Sequence, residues 1–139
     1  MRILTTAALT AGLLWAGAAS AADALAECYR TADNKVAVQA CLKKELDQTQ
    51  KEYDDIVDRI LAKARDLDRI QKRRNEAAKA FTDANKAFER YVDAECGWLE
   101  ESYGAGTGSG SGNAVLACRI NLIKTRSGAL DAQFLSASH

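Results

Sequence analysis

Four cysteines are the residues of this sequence best placed to do chemistry, and they fall into two pairs, Cys28 with Cys41 and Cys96 with Cys118. Neither pair has the CxxC spacing of a thiol-exchange motif, and neither has the close ligand spacing of a structural zinc site. The one histidine is the last residue, His139. In an exported chain an even number of cysteines indicates disulfides. We therefore predict two disulfide bonds, Cys28–Cys41 and Cys96–Cys118, each of which spans a predicted turn. We predict no bound metal and no cofactor.

Acidic pairs and a glycine-rich segment are the remaining candidates for chemistry. Asp54-Asp55 and Glu100-Glu101 resemble paired carboxylates, but neighbouring helical residues point about 100° apart and do not face one another. The segment GAGTGSGSG at residues 104–112 lacks the lysine of a phosphate-binding loop and follows a predicted helix rather than a strand. No nucleophile or metalloprotease motif is present. We predict no catalytic residues and no enzyme activity.

The first residues have the pattern of a signal peptide. Arg2 precedes an apolar run over residues 3–16, and Ala19-Ser20-Ala21 has the small-x-small pattern of a cleavage site. The run is shorter than the roughly 20 residues that span a bilayer. We predict a signal peptide over residues 1–21, no membrane span after cleavage, and a location in the bacterial periplasm or outside the cell.

The charge balance argues against a nucleic-acid partner. The whole chain has 19 basic and 19 acidic residues. Loss of residues 1–21 removes Arg2 and no acidic residue, which leaves a net charge of −1. Nucleic-acid-binding domains usually carry a strongly basic face.

Helical periodicity organises residues 22–135 into one predicted all-α domain. A short helix is predicted over 22–30, and Asp33 or Asn34 is placed to cap the next helix. The following apolar residues recur at steps of three, four and seven, which indicates one buried helix face: Val38, Leu42, Leu46, Tyr53, Ile56, Ile60, Leu67 and Ile70. The face continues through Phe81, Phe88, Tyr91, Val92 and Leu99.

A single helix from residue 35 to 102 would be about 100 Å long and could not bury that face by itself. We predict a fold-back at residues 65–69, within the range 64–72, where Asp68 and Gln71 have capping-box spacing. The alternative is a dimeric coiled coil, because Leu46, Tyr53, Ile60 and Leu67, then Phe81 and Phe88, keep a seven-residue register. Monomer and homodimer stay open.

The last third of the chain contains one long predicted loop over residues 97–112. Gly104 is placed to end the helix that holds Cys96, and Asn113 is placed to cap the last helix. That helix has one apolar face, and residues 136–139 are predicted to fray. The predicted fold is a long helical hairpin with short N-terminal and C-terminal helices, stapled by two disulfides.

Residues 85–96, NKAFERYVDAEC, resemble the motif Q-R-A-W-x-x-Y-R-D-A-x-C of the LprI-type lysozyme-inhibitor family. The N-terminal cysteine pair, Leu46 and Tyr53, and the step of eight from Cys118 to Arg126 also resemble that family. Phe88 stands in place of its tryptophan, Val92 of its arginine and Asn85 of its glutamine. The resemblance implies a small exported domain, largely of unknown function, and a lysozyme-like glycoside hydrolase as partner.

On that resemblance, the Cys96–Cys118 loop end is the predicted contact with the hydrolase. Trp98 is the predicted exposed aromatic, whereas Phe88 and Tyr91 are predicted in the core. Arg119 or Arg126 is placed to offer a cation to the carboxylates of the cleft, and for Arg126 the favoured alternative is a salt bridge with Asp93. The alternative function is an envelope interaction module that pairs through its long helices. The residues predicted to bind the hydrolase are Trp98, Tyr103, Gly106, Thr107, Arg119 and Arg126.

Overall fold

The structure, a computed structural model, describes residues 23–102 and 109–136. Within them the chain forms α1 (Ala24–Thr31), α2 (Lys35–Ile70), α3 (Glu76–Ser102) and α4 (Ser109–Leu130), followed by a π-helical turn at Asp131–Leu135. Helices α2 and α3 form the predicted hairpin, α4 packs against both of them, and α1 packs against α2 and α4. The all-α prediction is confirmed, and no strand is present in the described residues.

The apolar residues that recur at helical spacing form two clusters along this bundle. The first joins α1 to α2 and α4 and includes Cys28, Val38, Leu42 and Ile120. The second, farther along α2, contains Tyr53, Ile60, Ile123 and Leu130, with Leu46, Phe81 and Phe88 packed against it. Five residues of the heptad register therefore pack within one chain, whereas Leu67 of the same register is 42% exposed. None of the described helices is long and apolar enough to span a membrane.

Both predicted disulfides are present. Cys28–Cys41 joins α1 to α2, and Cys96–Cys118 joins α3 to α4. Cross-links that close loops of this size contribute about 3 kcal/mol each in the chain-entropy model. Asn34 is the cap of α2, since its side chain accepts hydrogen bonds from the backbone of Val36 at 3.1 Å and of Ala37 at 3.0 Å.

The hairpin turn begins later than the predicted fold-back at residues 65–69. Helix α2 continues to Ile70, and α3 begins at Glu76. The amide of Arg73 donates to the carbonyl of Asp68 at 2.8 Å, and that of Lys72 to Arg69 at 3.3 Å. These two bonds form a Schellman motif, with Lys72 at the left-handed position, φ 53°. The capping-box interpretation of Asp68 and Gln71 was wrong. Asp68 lies in α2, and its carboxylate caps the first turn of α3.

The predicted loop over residues 97–112 is too long. Residues 97–102 belong to α3 and residues 109–112 to α4. Asn113 is not a cap: it lies in α4, is 1% exposed, and its Nδ2 donates to the carbonyl of Lys35 at 3.5 Å. Contact with the start of α2 holds α4 helical despite its glycines. Gly104, the signal peptide and the tail beyond Ser136 lie outside the described residues, so those boundaries stay predictions.

Candidate functional site

Trp98 is the predicted partner-binding residue that the structure places most clearly at the surface. It lies two residues after Cys96 on α3, and 55% of it is exposed, whereas Cys96 and Val92 are buried. Tyr91, predicted in the core, is 49% exposed. Because seven residues make nearly two helical turns, Tyr91 and Trp98 share one outer face of α3, about 10 Å apart along its axis.

The support beneath Trp98 is rigid. Cys96 is fully buried and bonded to Cys118 on α4, where the neighbouring Ala117 and Ile120 are also buried. The indole therefore stands on a helix that is covalently tied to the next one. An aromatic side chain held in this way loses little conformational freedom when it binds a partner.

Three carboxylates, those of Glu95, Glu100 and Glu101, form an acidic rim at the C-terminal end of α3. Glu95 and Glu101, each three residues from Trp98, lie beside it, and Glu100, two residues away, points to the opposite side of the helix. All three residues are exposed, and none forms an ion pair with another residue that the structure describes. No basic residue occurs on α3 after Arg90. Carboxylates in the last turn of a helix meet the negative end of its dipole, which costs about 0.3–1 kcal/mol each. The rim thus carries a local negative charge that the fold does not use.

Arg119 is not a free cation beside Trp98. Its Nη1 lies 2.9 Å from Oδ1 of Asp93, so its charge is compensated in a partly exposed ion pair. Asp93 and Trp98 are five residues apart, which places them about 140° apart around the axis of α3. Arg119 and Trp98 therefore lie on different sides of that helix.

The predicted salt bridge between Arg126 and Asp93 is wrong. The guanidinium of Arg126 lies over the ring of Phe88, 5.7 Å from its centroid, and its Nε is buried without a hydrogen-bond partner. The charge of Arg126 also acts on the hydroxyl of Tyr53. Burial raises the pKa of Tyr53, and the charge and hydrogen bond of Arg126 offset part of that rise. Arg126 thus packs against Phe88, and its contact with a partner stays a prediction.

The motif at residues 85–96 connects the three long helices. The hydroxyl of Tyr53 on α2 donates to Asn85 Oδ1, and the rings of Tyr53 and Phe88 are 5.7 Å apart. Asp93 and Cys96 reach Arg119 and Cys118 on α4. The motif therefore specifies helix packing, and Tyr91 is its exposed aromatic residue.

A shallow groove of about 250 Å³ lies between the three helices. It is concave and contains the Asp93–Arg119 pair, so it presents no convex surface that would enter an enzyme cleft. No group of three or more histidine, cysteine or acidic residues in the described ranges is arranged to hold a metal ion. The residues that line the groove are Gln50, Tyr53, Phe88, Glu89, Val92, Asp93, Arg119 and Ile123.

The predicted binding residues are therefore divided. Arg119 and Arg126 point toward the groove region, Trp98 faces solvent on the other side of α3, and Tyr103, Gly106 and Thr107 lie outside the described residues. Glu100 and Glu101 were interpreted as solvated surface, and they are exposed. Both lie in the last turn of α3, where negative charge is unfavourable.

Comparison with known proteins agrees with the resemblance in the motif. Searches of curated proteins and of solved structures found no match. The family model described as lysozyme inhibitor LprI matches residues 19–130, which include all four helices. This chain belongs to the LprI family of lysozyme inhibitors.

Proposed function

We propose that this protein is an exported, non-enzymatic inhibitor that binds a lysozyme-like glycoside hydrolase through the Cys96–Cys118 end of the bundle, with Trp98 as the central contact. The observation that carries the proposal is a half-exposed tryptophan on a disulfide-anchored helix, with the unpaired carboxylates of Glu95 and Glu101 beside it. Membership of an inhibitor family supports the class of partner. Export to the periplasm or medium is consistent with two disulfides.

Shape favours Trp98 as the residue that enters the enzyme. Glycoside hydrolases carry their catalytic carboxylates in a cleft, and an inhibitor needs a convex group to fill it. Tryptophan is among the residues that most often dominate interface energies. We also place Tyr103, Gly106 and Thr107, which lie outside the described residues, in the contact with the hydrolase.

Charge favours the acidic rim as the surrounding contact. Lysozymes are generally basic, so Glu95, Glu100 and Glu101 would face positive surface around the cleft. Complementary charge mainly raises the association rate and is screened by salt. A net charge of −1 predicted for the processed chain gave little reason to expect such steering, but the local charge around Trp98 supplies it.

The proposal is tested by measuring whether the protein inhibits a basic lysozyme as that enzyme lyses bacterial cell walls. We expect dose-dependent inhibition at micromolar protein, weaker at high salt, and at least a tenfold higher inhibition constant for Trp98→Ala. The matched control is Ile70→Ala, which removes a side chain 72% exposed at the other end of the bundle and leaves inhibition unchanged. Equal effects of both variants, or no inhibition by the wild type, would contradict the proposal.

A second candidate, an envelope module that pairs through its helices, is favoured by one observation. The outer face of α3 carries exposed residues at alternating steps of four and three, the spacing of a coiled-coil seam: Ala80, Ala84, Ala87, Tyr91, Ala94 and Trp98. This seam differs from the register that the sequence analysis considered. Absence of inhibition together with a dimer in sedimentation equilibrium would favour this function.

A further inference from the structure

The hairpin tip, residues 67–74, is charged in the opposite sense from the Trp98 end. It carries Lys72, Arg73 and Arg74 in succession, all exposed. None of the three forms an ion pair or a side-chain hydrogen bond with a residue that the structure describes. The neighbouring Asp68 is buried, and its carboxylate is occupied by the amides of α3. The tip therefore presents three uncompensated positive charges.

Apolar side chains are exposed beside these cations. Ile70, in the last turn of α2, is 72% exposed, and Leu67 and Phe134 are each 42% exposed. Leu67, Phe81 and Phe134 also line a mostly apolar groove of about 350 Å³ that opens between α2, α3 and the π-helical turn. A protruding isoleucine next to a run of cations is the combination that peripheral proteins use to bind anionic bilayers.

We propose that the hairpin tip docks on a membrane surface rich in anionic phospholipid, with Ile70 inserted among the headgroups and Lys72, Arg73 and Arg74 on the lipid phosphates. Charge complementarity favours an anionic bilayer over a protein partner. A protein partner would need a matching acidic and apolar pocket, whereas an anionic bilayer supplies both properties over its whole surface. The tip and the Trp98 end lie at opposite ends of the bundle, so docking leaves Trp98 directed away from the bilayer.

Cosedimentation with vesicles tests the proposal and involves no hydrolase. The probe is the processed protein, whose predicted first residue is Ala22, with vesicles of phosphatidylcholine alone or with one third phosphatidylglycerol. We expect binding to the anionic vesicles only, reduced by salt. Each cation near such a surface contributes about fivefold to partitioning. Lys72→Gln/Arg73→Gln/Arg74→Gln is therefore expected to weaken binding about a hundredfold.

Matched controls separate docking at the tip from general attraction of cations. Lys43→Gln/Lys44→Gln/Lys51→Gln removes the same charge from exposed positions elsewhere on α2 and is expected to weaken binding much less. Ile70→Ser is expected to reduce binding about tenfold. Val36→Ser, which changes a residue 75% exposed about 50 Å away along α2, is expected to have no effect. Equal losses with both triple variants, or binding that survives Ile70→Ser, would overturn the proposal.

Tryptophan quenching reports the orientation. Trp98 is the only tryptophan of the processed chain and lies about 30 Å from the tip along α3. Brominated anionic lipids are expected to leave its fluorescence unchanged on binding, and to quench Ile70→Trp in a Trp98→Phe background. Quenching of Trp98 in the wild type would show that the other end docks and would overturn the assignment. Failure of vesicle binding would leave lysozyme inhibition unaffected, so the two proposals fail separately.

Discussion

The carboxylate of Asp68, three residues before the first residue of the hairpin turn, accepts hydrogen bonds from the backbone of Ala77 at 2.9 Å and of Ala78 at 3.0 Å. A residue in the last turn of α2 thereby caps the first turn of α3. Asp68 is 1% exposed, so both amides depend on this one side chain. These two hydrogen bonds fix the direction in which α3 leaves the turn.

We expect Asp68→Ala to lower the free energy of unfolding by about 2 kcal/mol, because two amides lose their acceptor in a buried site. Asp68→Asn keeps one acceptor oxygen and is expected to lie between the wild type and Asp68→Ala. Urea unfolding followed by circular dichroism measures both. The control is Asp66→Ala, which changes an exposed residue paired with Arg69, and a change within about 0.5 kcal/mol is expected. Equal losses for the two alanine variants would contradict the capping role.

Lys72 is expected to lower the stability of the fold through its backbone conformation and to contribute its charge to vesicle binding. It adopts φ 53°, a left-handed conformation that costs a residue with a Cβ roughly 1 kcal/mol. We expect Lys72→Gly to raise the free energy of unfolding by about that amount in urea. Lys72→Ala keeps the conformational cost and is expected to leave stability unchanged. The same glycine variant is expected to bind anionic vesicles less well, so stability and docking change in opposite directions.

Tyr53 makes stability depend on pH in the alkaline range. Its pKa is raised in the folded state, mainly by burial, so the folded protein keeps the proton at pH values where the unfolded chain loses it. The contribution is complete below about pH 10, the ordinary tyrosine pKa, and is lost as pH rises toward the folded-state pKa. We expect the stability difference between wild type and Tyr53→Phe to shrink across that window in urea unfolding. A difference that stays constant with pH would contradict this assignment.

The helices were predictable because their core side chains recur at helical spacing, and Asn34 was predictable because a cap acts on its own helix. Asp68 caps amides nine and ten residues away, so only the folded turn reveals its role. Lys72 stands where glycine is usual, which hid the position of the turn. The partner of Asp93 was not predictable either. Arg119 and Arg126 are seven residues apart and share a face of α4, so only the axial register of α3 and α4 decides between them.

The start of α4 shows the limit of composition as a guide. Residues 104–112 read as a flexible linker, and glycine disfavours a helix by about 1 kcal/mol per residue. Two tertiary contacts offset that preference: the Cys96–Cys118 bond fixes the helix two turns later, and buried Asn113 bonds to the first residue of α2. Sequence periodicity does not report either contact, so the loop was predicted ten residues too long at the expense of both helices.

The carboxylates of Glu100 and Glu101 are expected to lower the stability of the fold and to speed association with a lysozyme. Removing their charge relieves the unfavourable interaction with the end of α3, so Glu100→Gln/Glu101→Gln is expected to raise the free energy of unfolding by about 1 kcal/mol. The same change weakens the acidic rim around Trp98. We therefore expect slower association with a basic lysozyme and a shallower dependence on salt in stopped-flow measurements. A matched variant, Asp47→Asn/Asp58→Asn, removes two exposed charges from the interior of α2, where no helix end is near, and is expected to change neither quantity appreciably. A glutamine variant less stable than the wild type would contradict the expected effect of the helix end. A glutamine variant that associated as fast as the wild type at every ionic strength would show that the two carboxylates have no part in recognition.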